Sequence, residues 1–261
     1  MPNTMNNVQR PFSLLHYAKL HNLDPRWVLL NAPTLFSSFY FRRHEMDATL
    51  IAGDWVTTAA SGTAFAYNAQ RNGAFRGATG AVDNATVELH QANVAMDSAD
   101  NPSAFLRWRA PADATGMAFE IGWSDAKTDE ALVCVSALSA AGAPTITNGI
   151  TDFSLLVLNP DLTLTTTAFI GDGTTGAVVG GLVGTWTPTN SAIIDMIFTI
   201  GANRSSVQIW ENNAFVGEYQ TTNGPDSGTL VRFSALWKSL DAATKQIDIM
   251  KVVFLAEENA T

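Results

Sequence analysis

The sequence predicts an all-β protein: a two-sheet antiparallel sandwich or jelly roll, preceded by an N-terminal arm with one or two short helices. Three observations lead there. From residue 86 onward, strand-sized apolar runs are separated by turn signals at short, regular intervals. In–out alternation is clearest in Val207-Gln208-Ile209-Trp210-Glu211 and in Gln246-Ile247-Asp248-Ile249-Met250-Lys251-Val252, the period of a strand with one buried face. After residue 50 the chain shows no internal repeat and no long helix pattern.

The arm comes first, over residues 1–52. Pro11-Phe12-Ser13-Leu14-Leu15-His16-Tyr17-Ala18 has helix-compatible apolar spacing, and Pro11 suits an early helical position, where its missing N–H costs little. Asp24-Pro25 should end that helix, because the residue before a proline is pushed out of the α region. Asp24 can then cap a second short turn through Arg26-Trp27-Val28-Leu29-Leu30, with Pro25 at its first position. Pro33 breaks that turn. Leu35-Phe36-Ser37-Ser38-Phe39-Tyr40-Phe41-Arg42-Arg43 follows as an aromatic-rich strand candidate. The arm is too short to bury its own aromatics, so it needs a surface to lie on.

The body, residues 53–261, reads as β throughout. Candidate strands cover residues 86–91, 104–108, 117–123, 132–136, 153–158, 162–170, 193–200, 206–211, 215–219, 231–237 and 246–255. Between them lie Asn101-Pro102, Asn148-Gly149, Asn159-Pro160-Asp161, Gly171-Asp172-Gly173, Asn212-Asn213 and Asn223-Gly224-Pro225, all turn signals. Asn212-Asn213 can supply the left-handed residues of a tight hairpin.

Composition narrows the function. The chain has 261 residues, 46% hydrophobic and only 15% charged, against roughly 25% charged in an average soluble domain, which argues against disorder. A net charge of −9 argues against nucleic acid as a partner. The charge is uneven: residues 1–50 carry five bases against three acids, and the rest carries 10 bases against 21 acids. A single cysteine, Cys134, excludes an intrachain disulfide framework. No apolar run approaches the 18 or so residues that cross a bilayer as a helix, and the first residues carry no secretory pattern. The expectation is a protein that folds in a cytoplasm, without a membrane partner.

Four places resemble the concanavalin-like jelly rolls of tailed-bacteriophage virion proteins. Ala118-Phe119-Glu120-Ile121-Gly122-Trp123-Ser124-Asp125 is similar to a mid-chain strand ending in a glycine, an aromatic and an aspartate. Val207 to Val216 is similar to their strand, short turn, strand hairpin, with Asn-Asn where Asp-Gly is usual. Phe233-Ser234-Ala235-Leu236-Trp237-Lys238, followed by residues 242–249, resembles their closing strand pair. The Gly-Ala-Thr-rich stretch 171–181 resembles a capsid-exposed turn. The resemblance, over residues 75–256, implies a non-enzymatic virion protein without cofactor. The role it implies first is capsid decoration, cementing the outside of an assembled head. The major capsid protein is then the partner, self-association as a trimer is expected, and the site is the virion surface. The arm residues expected to meet partners are Tyr17, Arg26, Trp27, Phe36, Phe39, Tyr40, Phe41, Arg42 and Arg43. The alternative is a carbohydrate-recognition module of a phage tail or fibre.

Catalytic readings find little purchase. No Gly-x-Ser-x-Gly elbow surrounds a serine, and His90, the one histidine of the body, reads as a surface strand residue. Cys134 sits in the apolar run Ala131-Leu132-Val133-Cys134-Val135 and reads as a buried thiol. A retaining glycosidase needs two carboxylates about 5 Å apart, and Glu120, Glu211 and Asp248 have no second acid at period two. Asn159, Asp161, Asp172 and Asp226 read as turn formers rather than calcium ligands. Gly171-Asp172-Gly173-Thr174-Thr175-Gly176 lacks the lysine of a phosphate loop and reads as a loop. Trp108, Trp123, Trp210 and Trp237 are expected in the core, with Trp55 and Trp186 nearer turns and freer to stack on a sugar.

Overall fold

The computed structural model describes residues 23–27, 39–45, 55–68, 74–92, 96–125, 135–137, 145–146, 150–161, 167–172, 178–182, 186–201, 204–221 and 223–257. Two large antiparallel sheets face each other. Sheet I runs in the order β16 (Ala214–Thr221), β15 (Arg204–Glu211), β14 (Ile193–Gly201), β7 (Ser103–Arg109), β18 (Gln246–Glu257), β4 (Ala74–Ala78) and β3 (Thr63–Asn68). A further strand, β1 (Phe39–Glu45), continues beyond β4 along the same edge of β18, from Phe39 opposite Glu257 to Glu45 opposite Lys251. Sheet II runs β13 (Val178–Leu182), β12 (Ala168–Asp172), β11 (Phe153–Leu158), β8 (Met117–Ser124), β17 (Leu230–Ser239), β5 (Thr86–Gln91) and β2 (Trp55–Ala60), with β6 (Met96–Asp97) on the end of β17. A small pair, β9 (Val135–Ala137) and β10 (Thr145–Ile146), stands apart. The all-β, two-sheet expectation holds.

Alternation puts one face of each strand inward, and those faces interlock through aromatic rings. Trp108 of sheet I meets Trp237 and Phe119 of sheet II at 5.4 and 6.0 Å between ring centroids, both edge to face. Phe65 of sheet I meets Trp237 at 5.7 Å. Phe254 of sheet I touches Trp55, Trp123 and Phe233, and Phe198 of sheet I touches Phe233. Edge-to-face pairs add about 0.5–1.5 kcal/mol each beyond the area they bury. Close packing also sets a glycine: a Cβ on Gly77 of β4 would stand 2.8 Å from both the Phe65 ring and Val87.

The open ends are closed by polar staples. At one end Lys245, fully buried, donates from Nζ to the Thr115 carbonyl at 2.5 Å and to Asp241 Oδ2 at 3.0 Å. At the other, Asp125 after β8 accepts from the Thr151 amide and hydroxyl, and Asp152 accepts from the Asp226 amide at 2.8 Å. The β15–β16 hairpin turns on Asn212 and Asn213, both left-handed at φ 49 and 68, as the sequence predicts.

The structure departs from expectation in several places. Strands β2, β3 and β4 occupy residues 55–78, where no strand is predicted. Their Thr, Ala and Gly positions hide the period, and only Trp55, Phe65 and Phe75 carry a large inward ring. The stretch 171–181, expected to be an exposed turn, contributes the end of β12 and most of β13, which pairs with β12. Of the strand expected at 132–136, residues 135–136 fall in β9 and 132–134 lie outside the described residues, Cys134 among them.

Trp237→Ala should cost about 3–5 kcal/mol in urea unfolding, because it empties the middle of the aromatic core. Val82→Ala, at a side chain 49% exposed, should change stability by less than about 0.5 kcal/mol. Equal effects would refute the packing described.

Candidate functional site

The outer face of sheet I carries a charged cluster that the arm completes. Asp195 interrupts the apolar strand β14, and alternation turns it away from its core-facing neighbours Ile194 and Met196. Its carboxylate is 2% exposed and accepts two bonds from Arg107 of β7, at 2.6 and 2.7 Å. A third bond arrives from the arm, from Arg26 Nη1 at 3.1 Å. The same nitrogen reaches Asn213 Oδ1 at 3.3 Å, and the guanidinium lies 5.0 Å from the centre of the Trp210 ring. Arg26 is held from behind by Asp24, through both carboxylate oxygens.

Two acids and two arginines thus alternate, Asp24–Arg26–Asp195–Arg107, with no net charge. The hydrogen bonds from Arg26 hold the Asp24 carboxyl below its ordinary value of 3.8, against a smaller desolvation effect. Bonding to Asp195 raises Arg107 further above its ordinary range. Around the cluster stand exposed rings. Trp27, next to Arg26 in the helical turn at residues 25–27, is 48% exposed. Phe215 at the hairpin tip is 57% exposed, its ring 5.4 Å from Trp210.

The outer face of sheet II is different. Glu120 of β8 and Glu88 of β5 both stand opposite Leu236 of the strand between them. They are 3% and 0% exposed. His90 Nδ1 lies 3.5 Å from Glu88 Oε1, with the imidazole a quarter exposed. His90 is therefore half-buried beside an acid rather than fully on the surface. Two strand spacings of about 4.8 Å separate the two glutamates at the backbone.

Of the turn residues, Asn159 uses its side chain as turn chemistry predicts, and Asp226 bonds its turn through the backbone. Asn159 Oδ1 accepts from the Asp161 amide at 3.2 Å, and the Asp226 carbonyl accepts the Thr229 amide at 3.0 Å. Asp172 is the last residue of β12 rather than a turn residue. Among the described residues no group of three metal-ligating side chains converges. Trp108, Trp123 and Trp237 are fully buried between the sheets as expected. Trp210 is buried too, but on the outer face under Arg26, since its strand neighbour Ile209 points inward. Trp55, expected to be freer, is 4% exposed inside the core, because it opens a strand rather than a turn. Trp186 packs on Phe119 and donates its indole N–H to Glu211 at 2.7 Å, so it too is engaged.

Of the residues expected to bind partners, Arg26 joins this cluster and Trp27 follows it in the chain. Phe39, Tyr40, Phe41, Arg42 and Arg43 fall in β1, opposite Glu257, Ala256, Leu255, Phe254 and Val253. Tyr17 and Phe36 lie outside the described residues. Asp195, Arg107, Trp210, Asn213 and Phe215 are additions from the structure. The one signal for them in the sequence is Asp195 itself, an acid inside an apolar strand.

Two outcomes test the cluster. Asp195→Ala, which leaves Arg107 and Arg26 facing one another, should cost about 2 kcal/mol in chemical unfolding. That is below the roughly 3–5 kcal/mol of a fully buried broken pair, because the Arg107 side chain is 34% exposed. A lowered carboxyl pKa stabilises the fold above the ordinary value and stops doing so as pH falls through the folded one. Wild type should therefore melt higher than Asp24→Asn at pH 6, and the gap should close below pH 3.8. A gap that does not narrow as pH falls below 3.8 would show that the carboxylate charge is irrelevant there.

No family model matches the chain, and no characterised protein matches it by sequence. Solved structures do match by fold. A protein of unknown function, SO2946 from Shewanella oneidensis MR-1, is similar with a TM-score of 0.57 and 13% identity, over 98% of each chain. The Emp47p carbohydrate recognition domain is similar at 0.54 and 10% identity, over 85% of this chain and 98% of that one. The exoplasmic/lumenal domain of VIP36, in a Ca2+/Man3GlcNAc-bound form, is similar at 0.53 and 9% identity, over 82% and 89%. The chain has the fold of lectin-type jelly rolls.

Proposed function

We propose that the protein is a non-enzymatic carbohydrate-recognition module. The observation that carries this reading is the shared architecture: the two-sheet body follows the Emp47p carbohydrate recognition domain and the sugar-bound VIP36 domain over more than four-fifths of the chain. The carboxylates support the absence of turnover. Glu88 and Glu120, the pair that shares a sheet face, are sealed from solvent, and a glycosidase acid must reach its glycosidic oxygen. The sequence resemblance to phage virion proteins points to a tail or fibre as the place for such a module.

The capsid-decoration reading relied on an arm reaching outward to the major capsid protein. Arg26, one of the charged anchors assigned to that arm, is engaged by Asp195 and Asn213 of the body, which favours the carbohydrate reading.

The test is a panel of immobilised glycans, with titration calorimetry on any that are retained. Saturable binding of at least one glycan is expected, with no release of reducing sugar from it. Absence of binding across the panel, or hydrolysis lost in Glu120→Gln, would overturn the reading.

A further inference from the structure

The outer face of sheet I carries an apolar patch that is sealed from solvent although it points away from sheet II. Phe105, Ile197 and Val253 are 0% exposed and Leu255 is 3% exposed, and none of the four belongs to the core between the sheets. They stand on neighbouring strands: Ile197 of β14 lies opposite Phe105 of β7, which lies opposite Val253 of β18. We infer that residues 28–38, which lie outside the described residues, dock across this patch and seal it.

Three features argue for that occupant. First, the chain is fixed on both sides of the patch. On one side Arg26 bonds to Asp195 of β14, two residues along the strand from Ile197. On the other, Phe39 opens β1 opposite Glu257 of β18, two residues beyond Leu255. The line joining these points runs over Phe105 and Leu255. Three strand spacings of about 4.8 Å separate β14 from β1, and six residues at about 3.3 Å separate the level of Asp195 from that of Phe39. The diagonal is therefore about 25 Å. The chain from Trp27 to Phe39 can reach about 40 Å when fully extended, so it spans the patch with slack to follow its surface.

Second, the composition of the stretch suits the seat. Val28-Leu29-Leu30-Asn31-Ala32-Pro33-Thr34-Leu35-Phe36-Ser37-Ser38 contains no charged residue, whereas Asp24 and Arg26 precede it and Arg42 and Arg43 follow it. An uncharged segment can lie over apolar side chains without burying an unpaired ion, which would be costly. Phe36, expected from the sequence to meet a partner, then meets its own sheet.

Third, the other candidates are placed less favourably. Residues 1–22 join the described chain at Leu23 only, and a second copy is not tethered at all. A segment tethered on both sides of its seat meets it at a higher effective concentration than a free end or a separate molecule.

The experiment uses the full chain with Cys134→Ser and one reporter thiol at a time. Val253→Cys reports on the outer face, and Val252→Cys, its neighbour in the strand, reports on the core between the sheets. Both should react slowly with a maleimide when the rest of the chain is unchanged. Adding Leu35→Ser with Phe36→Ser, or adding Arg26→Ala, should speed labelling at position 253 at least tenfold while position 252 stays protected. Arg76→Ala breaks an ion pair on the same face that involves no arm residue and should leave both positions slow, as should Leu14→Ser with Leu15→Ser. Thermal melting checks each fold, and if the Leu35/Phe36 variant does not fold, Arg26→Ala still decides. Unchanged protection at 253 in the folded Leu35/Phe36 and Arg26 variants would overturn the inference. So would equal acceleration at 252 and 253, which would mean that the outer layer is not separable from the core. Faster labelling at 253 in the Leu14/Leu15 variant would give the seat to residues 1–22 instead.

Discussion

The edge-to-face stacking of rings between the two sheets is the contact on which everything else depends. Trp108 against Trp237, and Phe254 against Trp123 and Phe233, fix how one sheet sits over the other. The arrangement has a cost. The indole N–H groups of Trp108, Trp123 and Trp237 are buried without a hydrogen-bond partner. Each such donor forfeits about 1–3 kcal/mol. A buried indole, at about 250 Å² and 25 cal/mol per Å², returns about 6 kcal/mol, so area outweighs the lost bond. Because the inner faces are filled this way, alternation sends the charged residues of the central strands outward. Asp195, Glu88, Glu120 and Asp248 all lie on outer faces for that one reason.

The outer faces are not simply wet. Phe105, Ile197 and Val253 of sheet I are fully buried yet stand outside the inter-sheet core. Such side chains need a further layer, and Arg26 is the described part of the chain that reaches this face by charge. Asp195 could not stay 2% exposed as an anion on Coulomb attraction alone. Removing a carboxylate from water costs several kcal/mol even after relaxation, and the two bonds from Arg107 with the third from Arg26 supply the compensation. Arg76 and Asp248 repeat the device on the same face, paired at 2.7 and 2.9 Å. Polar pairs therefore fix where the outer layer sits, while apolar burial provides most of its adhesion.

Legibility in the sequence follows side-chain size and contact range. β5 and β11 lie where their runs predict, since Thr86–Gln91 and Phe153–Leu158 are dense in apolar or alternating residues between clear turns. β3 is invisible from sequence because TAFAYN offers a single inward ring, Phe65. The Asn212-Asn213 turn is readable, since left-handed geometry is a local property. The cluster is not. Arg26 meets Asp195 across 169 positions, and no local pattern encodes a pairing at that separation. Trp210 shows the intermediate case: its place in a strand and its alternation with the inward Ile209 are legible, but the Arg26 that covers it on the outer face is not.

The uneven charge of the chain acquires a physical explanation from the same contact. A basic arm beside an acidic body invites a search for an external acidic partner, but opposite charges on one chain meet at far higher effective concentration than two molecules in solution. The first partner available to Arg26 is its own body, and the geometry is that of a satisfied site: five hydrogen bonds from the Arg26 side chain to three residues, with a ring beneath. The large side chains beside that docking remain partly exposed. Leu23 and Trp27 flank the docked arginine at 36% and 48% exposure, and Phe215 stands across the hairpin at 57%. With its charge neutralised by Asp24 and Asp195, Arg26 has little left to offer an external acidic partner.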